Sequence, residues 1–294
     1  MRQRAGRPRN DGLSCSHVEL LLLPLMPELP LREAYAVEPI ATMVSDYPDK
    51  FGVPRQPGLV PAARGVLSLL APFDDPLAVD GLDAYSHIWL SFVFDRSPVA
   101  WRARVRPPRL GGNQRVGVFA TRSTHRPNRL GQSLVELLDI ATSPKPMAAP
   151  WAMSGAKTSL TSRTHLLIAS HDLVNGTPIV DIKPYLPWAD CAPQAQAGLA
   201  PLPPATMAVQ YCPSAHDFLT ARADSDSLAQ LITQVLSQDP RPAYRRAETG
   251  GRFGVALRDV DVSFCVEDRN GEPVMRVLSI TPRSDPSSGD QPPM

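Results

Sequence analysis

The sequence predicts a mainly β protein: an all-β sandwich or barrel followed by a small α+β unit. Three observations predict this. The apolar runs of the first two-thirds are short and separated by Pro/Gly turns, as in sandwiches and barrels. The 33 prolines among 294 residues interrupt helices and central strands. Past residue 204 a helical stripe appears, followed by two alternating strands.

In chain order, residues 1–35 read as a disordered extension, basic and without periodicity. Their most apolar stretch, Leu20 to Leu25, is interrupted by Pro24. It is far short of the roughly 18–20 residues that cross a bilayer, and it reads as an extension in preference to a signal peptide. The strand-rich first domain is expected over 36–190. His87–Phe94 (HIWLSFVF) is almost continuously apolar and predicts a strand buried on both faces. Val116–Ala120, Leu134–Ile140 and Leu166–Ala169 are further strands, and Pro144–Ser162 is a surface loop. Residues 191–204, rich in Ala, Pro and Gln, form a linker. In 205–283, Leu228, Leu231, Ile232, Val235 and Leu236 make the stripe of an amphipathic helix. Val260, Val262, Phe264 and Val266 alternate as a half-buried strand. Asn270-Gly271 suits a type I′ turn, with Val274–Ile280 returning from it. Residues 284–294 read as a disordered tail.

A net charge of +1 does not announce a nucleic-acid binder, so any RNA contact must come from a local patch. Cys15, Cys191, Cys212 and Cys265 form no C-x-x-C pair, which argues against structural zinc and fits a reducing cytoplasm. No membrane and no metal partner is expected. G-x-G-x-x-G, H-E-x-x-H and G-x-S-x-G are absent, and GNQRVG (112–117) lacks the Lys and Ser/Thr of a phosphate loop.

Four polar segments stand between the apolar runs. In FGVPRQPG (51–58) two prolines and Gly58 make a rigid loop that presents Arg55 and Gln56. Arg102, Arg104, Arg106, Arg109 and Arg115 crowd a second, as phosphate contacts require, although a solvated basic loop has the same composition. The third, ATRSTHRPNRLGQS (120–133), loads a loop between strands with donors: Arg122, Thr124, His125, Arg126 and Asn128. The fourth, DLVNGTPIVDIKPY (172–185), carries a hairpin turn at Asn175-Gly176. It also places Asp181 and Lys183 two residues apart, on one face.

At these segments the sequence resembles the TsaA-like (TrmO-type) tRNA adenosine-37 N6-methyltransferases. The resemblance rests on PRQPGLV (54–60), LDAYSHIWLSFVF (82–94), RPPRLGGN (106–113), GVFATRSTHRPN (117–128), GQSLVEL (131–137), NGTPIVDIKPYLPWAD (175–190) and QDPRPAYRRAETG (238–250). It implies a β-barrel that binds S-adenosylmethionine, works as a homodimer with the cofactor near the subunit interface, and methylates N6 of threonylcarbamoyladenosine at position 37 of threonine tRNA. By motif, Arg55, Gln56, Pro57, Gly58, Asp95, Arg96, Arg122, Leu130, Asp172, Leu173, Val174 and Asn175 line the cofactor site. Two departures are visible: Arg129-Leu130 stands where the family has Pro followed by Ile or Leu, and Asp95-Arg96 where it often has His followed by a polar residue.

N6 of threonylcarbamoyladenosine belongs to a urea-like group and is a poor nucleophile while protonated, so a base is expected. Asp181 and Tyr185 are the catalytic candidates, with Asp172 and His125 beside them. Arg104, Arg106, Arg109, Arg122 and Arg126 can meet the substrate carboxylate and tRNA phosphates. Arg241, Tyr244, Arg245 and Arg246 place an aromatic ring among cations, which suits a looped RNA with exposed bases. The competing readings are a non-catalytic S-adenosylmethionine- or RNA-binding module of the same barrel and a methyltransferase with another acceptor.

Overall fold

The computed structural model describes residues 34–107, 114–142, 162–246 and 248–283. The chain separates into two units, 1–37 and 38–294. Of the first, residues 34–37 are described and have no regular structure. The expected terminal tails, Arg109 and nearly all of the Pro144–Ser162 loop lie outside the described residues.

The second unit opens with a closed six-stranded barrel. Its strands are β1 (Ala41–Ser45), β2 (Arg64–Leu69), β3 (His87–Val93), β6 (Leu130–Thr142), β7 (Thr164–Ala169) and β8 (Pro178–Pro184). They run β1-β2-β7-β6-β3-β8 and close where β8 meets β1. Two short strands, β4 (Arg104–Val105) and β5 (Val116–Gly117), pair antiparallel between β3 and β6. Met43, Leu67, Ile88, Leu90, Val135, Leu166, Ile168 and Ile179 fill the interior. Each such side chain stabilises the fold by about 1.5–3 kcal/mol.

Strand β3 corrects the expectation of burial on both faces. Ile88, Leu90 and Phe92 point inward, while His87, Trp89, Ser91 and Val93 are half-buried outside. A sheet closed on itself has one interior. The outer face reads as apolar because Trp89 is covered by the turn after β8. Its ring meets Tyr185 edge-on at 6.2 Å, and its Nε1 donates to Asp190 at 3.2 Å.

Two bulges tune the inward pattern. The β6–β7 register shifts between Leu137 and Asp139, so Leu138 is exposed and Ile140 returns to the core. The β3–β8 register shifts between Ser91 and Phe92, which lets Ile179 and Ile182 both face the interior while Asp181 and Lys183 stay exposed. Val116–Ala120 is a strand only over Val116–Gly117 and continues as a 3-10 turn. Asn175-Gly176 is a turn but not a hairpin, because β7 and β8 are not paired. Thr177 N donates to Val174 O at 3.1 Å, and Gly176 takes φ +83°.

After the short helix α1 (Pro187–Asp190) come β9 (Ala208–Tyr211), α2 (Pro213–Thr220), α3 (Ser225–Ser237), β10 (Phe253–Leu257), β11 (Val260–Arg269) and β12 (Glu272–Pro282). The sheet order is β10-β11-β12-β9. All five residues of the expected stripe on α3 are buried. The β11–β12 turn has Asn270 at φ +59° and Gly271 at φ +86°, the paired left-handed geometry of type I′. The two halves share a core: Tyr47, Val60, Ala62 and Ala63 of the β1–β2 connection pack with the helices and sheet of the C-terminal part.

Candidate functional site

Three connections gather at one end of the barrel: 46–63 between β1 and β2, 94–129 between β3 and β6, and 170–177 between β7 and β8. Every residue expected at the cofactor lies on them or at Leu130, the first residue of β6. Gly58 binds the first connection to the third, its N–H donating to Ser170 O at 2.8 Å. Its φ of +81° calls for glycine, and a Cβ there would meet nothing within 4 Å, so the loop faces open space. Arg122 of the second connection hydrogen-bonds the side-chain carbonyl of Gln56 in the first. Arg55 and Gly58 are exposed; Gln56 and Pro57 are half-buried.

Asp172 is the titratable centre of this end. The Ser133 hydroxyl on β6 donates to it at 2.6 Å. Burial raises its carboxyl to about 6, against the lowering pull of the Ser133 bond and the Arg122 charge. Sequence reading did not single out Ser133. Its signal is a lone hydroxyl in the inward-facing series Ser133, Val135, Leu137. The next residues are held by backbone: Leu173 is buried, its carbonyl takes the Ser45 hydroxyl at 2.7 Å, and the Asn175 side-chain oxygen accepts from Ser45 N at 3.1 Å.

His171 is a structural neighbour. Its Nε2 donates to Arg64 O at 2.8 Å and its Nδ1 accepts from Leu173 N at 3.3 Å. Fully buried, it is pushed down to about 4 and stays neutral. The Tyr47 ring meets it edge-on at 5.2 Å.

The Asp95-Arg96 departure has a structural role here. The Arg96 guanidinium donates to the carbonyls of Asn175 and Pro48, and Lys50 donates to the Arg96 carbonyl. Arg96 therefore laces two connections together through backbone. Arg129 takes φ +52° while its carbonyl accepts from Phe94 N at 2.8 Å. Proline, fixed near −65°, cannot adopt that φ, so the second departure is conformational as well as chemical.

Asp181 and Tyr185 lie apart from the cluster within one chain. Asp181 is exposed on the outer face opposite Ser91. Tyr185 N donates to His87 O at the far end of the barrel. His125 packs in its own turn, its N–H donating to Ser123 Oγ at 3.2 Å.

The basic residues divide into two groups. Arg104 and Arg106 are exposed, and Arg104 donates to Arg115 O at 2.8 Å. Arg126 donates to Thr121 O at 2.8 Å and lies over the exposed Phe119 ring at 5.8 Å. From 96 to 135 the sequence holds nine arginines and no Asp or Glu, a strong local excess in a chain of net +1. In the C-terminal part, Arg241 corrects the expectation of an outward cation. It is 3% exposed, paired with Asp239 at 2.8 Å and bonded to the carbonyls of Glu248 and Arg246. Closing that loop needs a multi-pronged donor, which the guanidinium supplies. Arg245 pairs with Glu248 and Arg246 with Asp239, which leaves Tyr244 standing 83% exposed above them.

The outer face of the C-terminal sheet carries a trough of about 310 Å³ lined by Asp49, Phe51, Gly254, Ala256, Asp261, Ser263, Ser279 and Thr281 among others. None of the expected cofactor residues lines it. Among the described residues no group of His, Cys, Asp and Glu could hold a metal ion, and no helix is long and apolar enough to cross a membrane.

Comparison with known proteins agrees with this architecture. The family model described as tRNA-methyltransferase O N-terminal domain matches residues 42–191, and the TrmO C-terminal domain model matches 204–283. The chain is 45% identical over 254 residues to the tRNA (adenine(37)-N6)-methyltransferase of Escherichia coli (strain K12), covering 85% of this chain and 99% of that one. It is 29% identical over 163 residues to an S-adenosyl-L-methionine-binding protein of Archaeoglobus fulgidus, covering 54% of this chain and 96% of that one. A crystal structure of TrmO from P. aeruginosa superposes with a TM-score of 0.66 at 37% identity, covering 86% of this chain and all (100%) of that one. With both halves matched in order and a relative aligned almost end to end, the chain belongs to the tRNA-methyltransferase O family.

Proposed function

We propose that the protein is an S-adenosylmethionine-dependent methyltransferase acting on N6 of adenosine 37 in tRNA. We propose further that its acceptor is threonylcarbamoyladenosine of threonine tRNA and that it works as a homodimer. The observation that carries the reading is the convergence of 55–58, Arg122 and 172–175 on one barrel end.

The residues at that end fit S-adenosylmethionine. Asp172 offers a half-buried carboxylate to its amine or hydroxyl groups, Arg122 a guanidinium to its carboxylate, and the open space over Gly58 leaves room for a ligand. When bound, the cofactor supplies a methyl group on a sulfonium, open to in-line displacement. The protein's share is positioning, which is worth several kcal/mol in a displacement of this kind. The connections that do it are tied by Gly58 N to Ser170 O, Ser133 to Asp172, and Arg96 to the Asn175 carbonyl.

N6 must also lose its proton. Asp172, whose carboxyl burial raises to about 6, is a candidate to take it. Asp181 and Tyr185, placed elsewhere on the chain, are the further candidates for that step. The acid-free arginine segment supplies cations for tRNA phosphates through Arg104, Arg106 and Arg126, and Tyr244 supplies a stacking face.

The test is transfer of labelled methyl from S-adenosylmethionine to threonine tRNA prepared with and without the threonylcarbamoyl group. Label in the modified tRNA alone is expected. Equal label in both contradicts the proposed acceptor, and no label in either, with cofactor bound, favours the non-catalytic reading.

A further inference from the structure

We propose that Arg258, on the C-terminal sheet, is a positioning residue for the cofactor loop of the barrel, acting through Asp46. This inference rests on the proposed placement of S-adenosylmethionine at 172–175.

Arg258 sits in the turn between β10 and β11 at φ +52°. Its Nε donates to Asp46 Oδ1 at 2.9 Å, and its backbone N–H donates to Asp46 O at 2.9 Å. The side chains of the pair are 3% and 0% exposed. Asp46 also accepts Arg64 N at 2.8 Å, so its carboxylate is held from both the barrel and the sheet. The other end of the guanidinium is anchored: NH1 donates to Asp224 at 3.2 Å and to Ser227 Oγ at 2.9 Å. A buried ion pair with each partner held by further bonds fixes position well, because neither charge can relax into water.

The two residues that flank Asp46 hold the cofactor loop. Ser45 N and Oγ reach Asn175 Oδ1 and Leu173 O, and Asn175 N donates to Tyr47 O at 2.8 Å. Residues 45–47 therefore form one rigid link. On one side it is clamped by the C-terminal sheet, and on the other it sets where Leu173 and Asn175 lie. The path is contiguous, made of hydrogen bonds, and spans the junction of the two halves of the chain.

The test uses the full chain with Arg258→Gln, Arg258→Lys and Asp46→Asn, each first checked for a cooperative unfolding transition. Affinity for S-adenosylmethionine is measured by calorimetry, and KM and kcat by methyl transfer. Coupling through such a network changes affinity by about two- to thirty-fold. The expected result is a weaker cofactor Kd and a raised cofactor KM in folded variants, with Arg258→Lys the mildest. Loss of active fraction alone would lower kcat and leave KM unmoved. Combining Arg258→Gln with Asn175→Ala is expected to cost less than the product of the single losses, because both act on one path. Folded variants that bind the cofactor as tightly as the wild type overturn the inference alone. A wild-type chain that binds none overturns the cofactor reading beneath it.

Discussion

The Ser133 hydroxyl donates a 2.6 Å hydrogen bond to the Asp172 carboxylate, joining the inward face of β6 to the connection after β7. Burial still outweighs that bond and the Arg122 charge, and the carboxyl rests at about 6. The ionised form of Asp172 is therefore costly in the free protein, and a cationic or hydroxyl-bearing ligand relieves that cost.

The first prediction concerns pH and binding. Affinity for S-adenosylmethionine is expected to be constant above about pH 7 and to fall as pH drops through 6, where Asp172 takes up its proton. Asp172→Asn should abolish that dependence and weaken binding at least tenfold at pH 8, roughly the value of one charge-assisted hydrogen bond. Calorimetry between pH 5 and 8 checks both.

The second concerns stability. His171 is pushed down from 6.5 to about 4, so the unfolded chain takes up a proton first as pH falls from 6.5. Its contribution is present above 6.5 and lost on the way to 4, a change of about 3 kcal/mol. Asp172 acts oppositely: between 3.8 and about 6 the folded chain holds the extra proton, so that contribution falls as pH rises. The two offset each other in the wild type. Asp172→Asn is expected to gain about 1–2 kcal/mol at pH 8 and to lose stability more steeply than the wild type between pH 6.5 and 4.5. Urea denaturation across that range measures the difference.

The third concerns Gly58. Gly58→Ala meets no steric obstacle in the structure, but its φ of +81° costs an L-residue about 1–2 kcal/mol. The variant should lose that much stability. Because Gly58 N holds Ser170 O, it should also lose cofactor affinity. Thermal denaturation with and without S-adenosylmethionine separates the two effects.

The fourth concerns the arginine segment. Replacing Arg104 and Arg106 with Gln should weaken tRNA binding and reduce the slope of log K against log salt by about 0.7–0.9 for each phosphate contact removed. Arg241→Gln should instead destabilise the C-terminal loop, because its guanidinium is buried against Asp239 and two carbonyls.

The strand-rich class was legible in the sequence because alternation and turn residues are local, while closure into a barrel rather than a sandwich came only with the family resemblance. Stretches such as Leu166–Ala169 and the helical stripe on α3 declare themselves within a few residues. Bulges at Leu137/Asp139 and Ser91/Phe92 did not, since they depend on the register of the partner strand. The loop at 55–58 was legible as a Pro/Gly turn and 172–175 as the run into the Asn175-Gly176 turn, while their assignment to the cofactor came from the family resemblance. Their supports were not: Ser133 lies 39 residues from Asp172, and Asp46 lies 212 residues from Arg258. Such pairs exist only once the barrel closes and the C-terminal sheet docks on the β1–β2 connection. Arg241 shows the same limit, for composition alone does not tell a cation that faces RNA from one that ties a loop.

The central claim is that one barrel end holds the cofactor, and amide hydrogen exchange with and without S-adenosylmethionine tests it most directly. Added protection is expected at 55–58, at 122–130 and at 172–176, with the C-terminal trough around Gly254 and Ser263 unchanged. Protection confined to that trough, or to the far end of the barrel around Tyr185, would contradict it.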